Sequence, residues 1–465
     1  MFCNDIYRST CLLRSPIVWA CLLLLAINAP QILQATTWNV GPSYTYKTPC
    51  AVANLVNAID TVLIEPATYV ADVCHWYDDN LYISGHNGMA VLDANFTSAG
   101  GKAIWVIKGK NCTVEHVEFT KCTVPDQNGA GIRAEGEDLT LRYCYFHHNE
   151  MGILTSNDGI SDFLFEYCEF ANNGYGDGYS HNIYVGKVNS LTMRYCYSHA
   201  SLTGHCVKSR AKHNYLYYNR VTDEEGEPSY TIDLPNGGQS VLIGNLIQQG
   251  PDSPNGGIIS YGAEGLENPV SEFVMVNNTV VNQKGSGTFV YLKSGTALFK
   301  AWNNLFLGPG TWTNGTATTI DTAYNWRLTD INAAGLEDYP NFNYRLTQNS
   351  WAVDKGADPG TYADTIDLTP TLEYLHPTNH EPRTQINTID MGCYEYCQID
   401  PIISPQNNTA CQNTSATYST QVINGALYNW TVTNGSILSG QGTATVTILW
   451  GNSGPGAVDV TITAY

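Results

Sequence analysis

The stretch GHCVKSRAKHNYLYYN, residues 204–219, sets His205, Lys208, Arg210, Lys212 and His213 within nine residues of a chain whose formal net charge is -20. A charged lysine is a poor base, but a second cation close by pushes its pKa down and makes it usable for taking a proton. Arg210 lies two residues beyond Lys208, which on a strand is the same face. A base beside a fixed guanidinium suits removal of a proton next to a carboxylate. The lysine takes the proton and the arginine neutralises the carboxylate. His205 adds a titratable group, and His181 precedes it by 24 residues. A plain structural reading stands beside this one. Lys208 and Arg210 could pair with Asp233 and Glu135, and the two histidines could be a stacked pair.

What positions these side chains is a repeat. Aligning LRYCYF (141–146), FEYCEF (165–170), MRYCYS (193–198), YYNRV (217–221), IGNLI (243–247), VNNTV (276–280) and AWNNLF (301–306) puts Cys144, Cys168, Cys196, Asn219, Asn245, Asn278 and Asn304 in one column, 23 to 33 residues apart. A second column holds Ile104, Ile132, Ile153, Ile183, Val207, Ile232, Ile259 and Val290, 21 to 31 residues apart. Periods of this size mean a solenoid or an array. The units are short, β-branched and rich in turn residues, with no helical periodicity. The predicted fold is all-β: a right-handed parallel β-helix over residues 36–397, one coil per repeat, with coils about 4.8 Å apart. The Ile/Val column should stack inside. The Cys column, continued by Asn, should form a ladder at or beside a turn, with buried, unbridged thiols. The spacing of a leucine-rich repeat is absent, and a propeller blade needs about 40 residues.

Strand alternation then assigns faces. With Val207 inward, Lys208 and Arg210 point out. The predicted outward row is Trp105, Arg133, Leu154, Tyr184, Lys208, Asp233, Ser260 and Tyr291; the next holds Glu135, Ser156, Gly186, Arg210, Pro235 and Gly262, with Asn236 and Glu264 just beyond. The candidate catalytic residues are Lys208, Arg210 and His205. Arg133, Tyr184, His181, Asp233 and Asn236 are candidate substrate contacts. Glu135 and Glu264, with Asp233, offer oxygen atoms of the kind calcium takes. Such a flat, elongated wall suits a long glycan. This reading requires Lys208 and Arg210 to be partly accessible and not saturated by carboxylates.

The pattern resembles the pectate-lyase-like β-helix superfamily over residues 36–396. SWAVDKGADPG (350–360) and IDMGCYEY (389–396) resemble the closing segment of secreted bacterial β-helix proteins. VKSRAKHNYLYYN resembles the Lys-Ser motif of the alginate-lyase and chondroitinase B-like polysaccharide lyases, which implies Lys208 as the base. That family carries a catalytic arginine on the following coil, where this chain has IDLPNGG (232–238), so Arg210 is the available substitute. The resemblance implies an exported protein that binds an acidic polysaccharide and cleaves it by β-elimination. The alternative is a non-catalytic cell-surface or adhesive protein in which the solenoid is a spacer.

Residues 401–465 alternate Thr and Val between Gly-Asn-Ser turns and resemble the PKD-like, immunoglobulin-type β-sandwich modules of exported Bacteroidota proteins, with Tyr428, Trp430 and Trp450 at the aromatic core. The run stops in a strand-like segment without a sorting domain, which reads as a truncated sequence. At the other end, Arg8 and Arg14 precede an apolar run from Ile17 to Ile27, and Leu33-Gln34-Ala35 offers a cleavage site. Residues 1–35 therefore read as a secretory signal. The mature chain should be secreted or surface-attached, with no membrane span. Its acidic balance argues against nucleic acid as a partner. Of 14 cysteines, three fall in the signal, and export permits disulfides. Cys50 with Cys74, and Cys112 with Cys122, are the plausible pairs.

Overall fold

The computed structural model describes residues 34–224, 226–396, 403–405, 411–422, 426–452 and 455–463. The signal read over residues 1–35 lies, but for its last two residues, outside the described part, as does Cys397. Three long parallel sheets of 12, 11 and 10 strands wrap into a right-handed β-helix. Each coil gives one strand to the first sheet, then the second, then the third.

The turn from first to second sheet explains the Cys/Asn column. One residue takes a positive φ between 52° and 58°, at Tyr143, Tyr167, Tyr195, Tyr218, Asn277, Asn303 and Tyr324. The next residue, Cys or Asn, points inward. In the left-handed region a side chain with a Cβ costs about 1 kcal/mol, and bonds along the stack offset it. Asn245 shows the pattern. Its Oδ1 accepts the Asn219 N–H at 3.0 Å, and its own N–H donates to Asn278 Oδ1 at 2.9 Å. In the upstream coils the thiol of Cys196 takes the same place, accepting the Cys168 N–H at 3.4 Å. Cys144, Cys168 and Cys196 are buried and unbridged, as expected. Outside this ladder the rings of Tyr143, Tyr167 and Tyr195 stack at 4.8 and 5.0 Å. Their faces meet each other, as a packing ladder requires.

The inward column holds in register from Ile132 through Ile153, Ile183, Val207, Ile232 and Ile259 to Val290. Its first member needs correction. Ile132 is level with Trp105, not Ile104. Trp105 is fully buried, edge-on to Trp76 and Phe119. Both Ile104 and Trp105 join the core, because Gly131 abuts Phe119 and Phe146 with no side chain to displace the neighbouring strand. Val106 takes the outward place beside Arg133.

Cys50 and Cys74 form the disulfide, Cα atoms 5.6 Å apart. Cys112 and Cys122 do not pair; both are buried free thiols, Cys112 opening a strand of the first sheet and Cys122 just past a strand of the second. The segment around SWAVDKGADPG and IDMGCYEY closes the solenoid by docking on the same turns: Asn277 Nδ2 donates to the Asp390 carbonyl at 2.8 Å and Asn303 Nδ2 to that of Ala357 at 2.7 Å. Beyond it, two small antiparallel sheets enclose a core of Tyr418, Tyr428, Trp430, Val446, Ile448, Trp450 and Val460, the aromatic residues expected there. No helix among the described residues is long and apolar enough to cross a membrane.

Candidate functional site

Three short strands of the third sheet, Ile183–Val185, Val207–Ser209 and Ile232–Leu234, bring the opening stretch onto an outer face. Because Ile183, Val207 and Ile232 are inward, their successors Tyr184, Lys208 and Asp233 stand side by side outside. Arg210 follows just past its strand, Asn236 lies in the next turn, and Glu264 comes from the loop of the coil after that.

These side chains interlock. Lys208 Nζ lies 3.5 Å from Asp233 Oδ2 and 3.1 Å from Glu264 Oε1. Arg210 Nη2 lies 2.7 Å from Glu264 Oε2, its Nε donates to the Tyr184 hydroxyl at 3.0 Å, and its Nη1 donates to Asn236 Oδ1 at 2.7 Å. Both cations also lie over the Tyr184 ring. The Lys208 side chain is 11% exposed, that of Arg210 14% and that of Glu264 47%. Burial alone would raise Glu264; hydrogen bonds from Arg210 and Lys208 overcome it and hold the carboxyl below its ordinary range. Asp233 goes the other way: burial raises its pKa, against the pull of Lys208.

The histidines form a ladder of their own. The rings of His181 and His205 stack at 4.7 Å and 8°. The His205 N–H donates to His181 Nδ1 at 3.0 Å, and the Tyr230 N–H to His205 Nδ1 at 3.1 Å. Each Nδ1 is thus an acceptor, so each neutral ring carries its proton on Nε2. Burial, reinforced by the charge of Lys208, pushes His205 down to about 3. Its Nε2 faces Asp233 Oδ2 at 3.6 Å.

Residues 71–197 match the family described as right handed beta helix region, and residues 398–465 the PKD-like domain. Among solved structures, pectate lyase Pel9A aligns with TM-score 0.52 at 13% identity, over 78% of this chain and 97% of that one. The fold is a right-handed parallel β-helix, followed by a segment that matches the PKD-like domain. Alginate lyase from Paenibacillus sp. str. FPU-7 aligns at TM-score 0.35 and 10% identity, over 62% of this chain and 99% of that one. The A-module of mannuronan C-5 epimerase AlgE6 from Azotobacter vinelandii aligns at TM-score 0.34 and 14% identity, over 60% and 92%. No curated protein matches the chain in sequence.

On this right-handed β-helix, six of the residues picked from sequence come together, Tyr184, His205, Lys208, Arg210, Asp233 and Asn236, with Glu264, also picked, over Lys208 and Arg210. Six expectations change. His205 is no base, because Nδ1 already accepts a bond and Nε2 carries the proton. His181 is buried behind it and out of reach of a ligand. Arg133 shares the row but stands three coils before Lys208, about 14 Å away, with Leu154 and Tyr184 between. Glu135 is engaged by Lys102 and Lys108, far from Glu264. Calcium does not fit this arrangement. Asp233 and Glu264 both face Lys208, so an added cation would meet an ammonium and a guanidinium. Among the described residues no three His, Cys, Asp or Glu side chains gather to hold a metal. Nor are the cations unsaturated, as the sequence reading required; Glu264 occupies both.

Sequence reasoning missed two features. Tyr230 fixes the tautomer of His205 through its backbone, which no side-chain pattern reveals. The glycine-rich loop before His181 presents Tyr175 and Tyr179, the latter 81% exposed; the run GYGDGYS was its signal.

Proposed function

We propose that this is an exported protein that binds an acidic polysaccharide along the outer face of the third sheet and cleaves it by β-elimination. The observation that carries the reading is the convergence of Tyr184, Lys208, Arg210, Asp233 and Asn236 from three consecutive coils onto one spot of a long, flat wall. The pectate lyase that shares the fold supports the substrate class. In the proposed reaction Arg210 and Asn236 hold a uronate carboxylate, and Lys208 Nζ removes the proton next to it. The bond to the leaving sugar oxygen breaks, a double bond forms in the ring, and in this proposal the Tyr184 hydroxyl gives that oxygen its proton. In this step Lys208 acts as the neutral amine.

The test is a panel of uronate polymers, with and without added calcium, scored for new ultraviolet absorbance from unsaturated products, with Lys208→Ala in parallel. Product from the parent and none from the variant is the expected result. No product from any polymer sinks the lyase reading. One observation favours a second reading, a non-catalytic surface or adhesive protein with the PKD-like module as attachment element: Lys208 and Arg210 are both ion-paired as they stand. Polymer binding without product would support it.

A further inference from the structure

The carboxylate of Glu264 bridges the two cations that the proposed chemistry needs free. One oxygen lies 3.1 Å from Lys208 Nζ and the other 2.7 Å from Arg210 Nη2. This is the geometry a substrate carboxylate would adopt between a base and a guanidinium. Three facts separate Glu264 from an ordinary structural partner. First, the cations are fixed without it: Arg210 from behind by Tyr184 and Asn236, Lys208 by Asp233. Second, the exposure is lopsided. Glu264 is about half exposed while both cations it touches are nearly covered, so its side chain is the solvent-facing member of the cluster. Third, Glu264 belongs to no strand. Its backbone is pinned by an N–H bond to the Pro235 carbonyl at 3.0 Å, and Leu266 anchors the loop by packing against the core. The side chain can therefore rotate out without breaking a ladder bond.

We propose that Glu264 is a substrate-mimicking latch, whose carboxylate occupies the subsite for the carboxylate of a bound uronate and swings out when the polymer arrives. The inference rests on the acidic-polysaccharide reading above and adds how the site discriminates. A uronate replaces Glu264 charge for charge, whereas a neutral sugar would leave the desolvated Arg210 without a carboxylate and Lys208 with Asp233 alone.

The experiment compares parent, Glu264→Gln and Glu264→Ala for binding of polygalacturonate, alginate and the neutral glucan dextran, with thermal melts in each condition. The latch predicts about tenfold tighter binding of at least one uronate polymer by Glu264→Gln, unchanged behaviour toward dextran, and a lowered melting temperature that the uronate polymer restores. Glu264→Ala should show the same direction. Equal or weaker uronate binding by both folded variants, with the parent binding, overturns the latch and leaves the functional reading standing. If no uronate polymer binds parent or variants, the functional reading falls and the latch falls with it.

Discussion

Lys208 and Asp233 are register partners on adjacent strands of the third sheet, and their side chains meet at 3.5 Å. Asp233 is almost fully buried, so removing the ammonium strands a desolvated carboxylate. Lys208→Ala should lower the unfolding free energy at pH 7 by about 1–3 kcal/mol. Adding Asp233→Asn should recover at least half. Urea titrations of the single and double variants check this; identical midpoints would mean that the pair contributes nothing. An outward lysine is thus not neutral to stability, as its face alone would suggest.

Arg210 should decide charge preference. Its guanidinium serves Tyr184, Asn236 and Glu264 through three different nitrogens. Arg210→Ala should weaken binding of acidic glycans about tenfold more than of neutral ones. Arg210→Lys should not rescue it, because an ammonium cannot reproduce the planar fork. Affinity electrophoresis in polygalacturonate and dextran gels reads both outcomes.

His205 gives a pH signature. Its ordinary pKa of 6.5 falls to about 3 in the folded chain. Between those values the unfolded chain holds the extra proton, so stability rises with pH across the window and is lost as pH falls through it. From pH 6.5 to pH 5 that amounts to about 2 kcal/mol. Glu373 and Glu395, each raised by burial to about 7, act oppositely between 4.5 and 7. The diagnostic is therefore a difference: His205→Asn should lose about 2 kcal/mol less than the parent over that range in denaturant melts. Parallel losses would show that His205 titrates normally.

The ladder makes a graded prediction at Asn219, the first amide after the thiols. Its Oδ1 accepts the Cys196 N–H at 3.0 Å and its Nδ2 donates to the Met193 carbonyl at 2.8 Å. Asn219→Ala should cost about 2–4 kcal/mol. Asn219→Cys should cost less, since it extends the arrangement already present at Cys168 and Cys196. Chemical denaturation of the two variants settles the order.

Thiol counting offers a separate check. Mass spectrometry of unreduced protein, alkylated after unfolding, should find Cys50 joined to Cys74 and free thiols at Cys144, Cys168 and Cys196. Cys50→Ser should lower stability by about 3 kcal/mol. A bridge between any two of the ladder thiols would contradict the structure.

The repeat carried the fold because ladder register is a periodic constraint. Val207 and Ile232 must stack, so Lys208 and Asp233 must stand outside together, and the sequence spacing reveals it. Trp105 was misplaced because periodicity does not register a residue such as Gly131, whose missing side chain lets two consecutive neighbours turn inward. Glu264 was placed near the site but given the wrong partner. It lies in a loop, where alternation has no force, and only the coordinates show it bridging Lys208 and Arg210. His205 was listed as a candidate acid or base beside the plainer reading of a stacked pair with His181; the stack is what forms, and the backbone N–H of Tyr230, invisible in a side-chain pattern, removes the other option. Arg133 and Glu135 were grouped with the site because a shared row says nothing of how many coils intervene.

Each strand of the solenoid pairs only with its counterparts in the coil before and the coil after, which sets the grain of change this molecule tolerates. Adding or losing one residue within a strand would turn every later side chain of that strand to the opposite face. Adding or losing a whole coil would leave all remaining ladders in register and merely lengthen or shorten the rod. Coils before Tyr184 or beyond Glu264 are therefore free to vary in number, extending the wall by about 4.8 Å at a time, while the few between them are indivisible. Length along the polymer and chemistry upon it can thus be inherited separately.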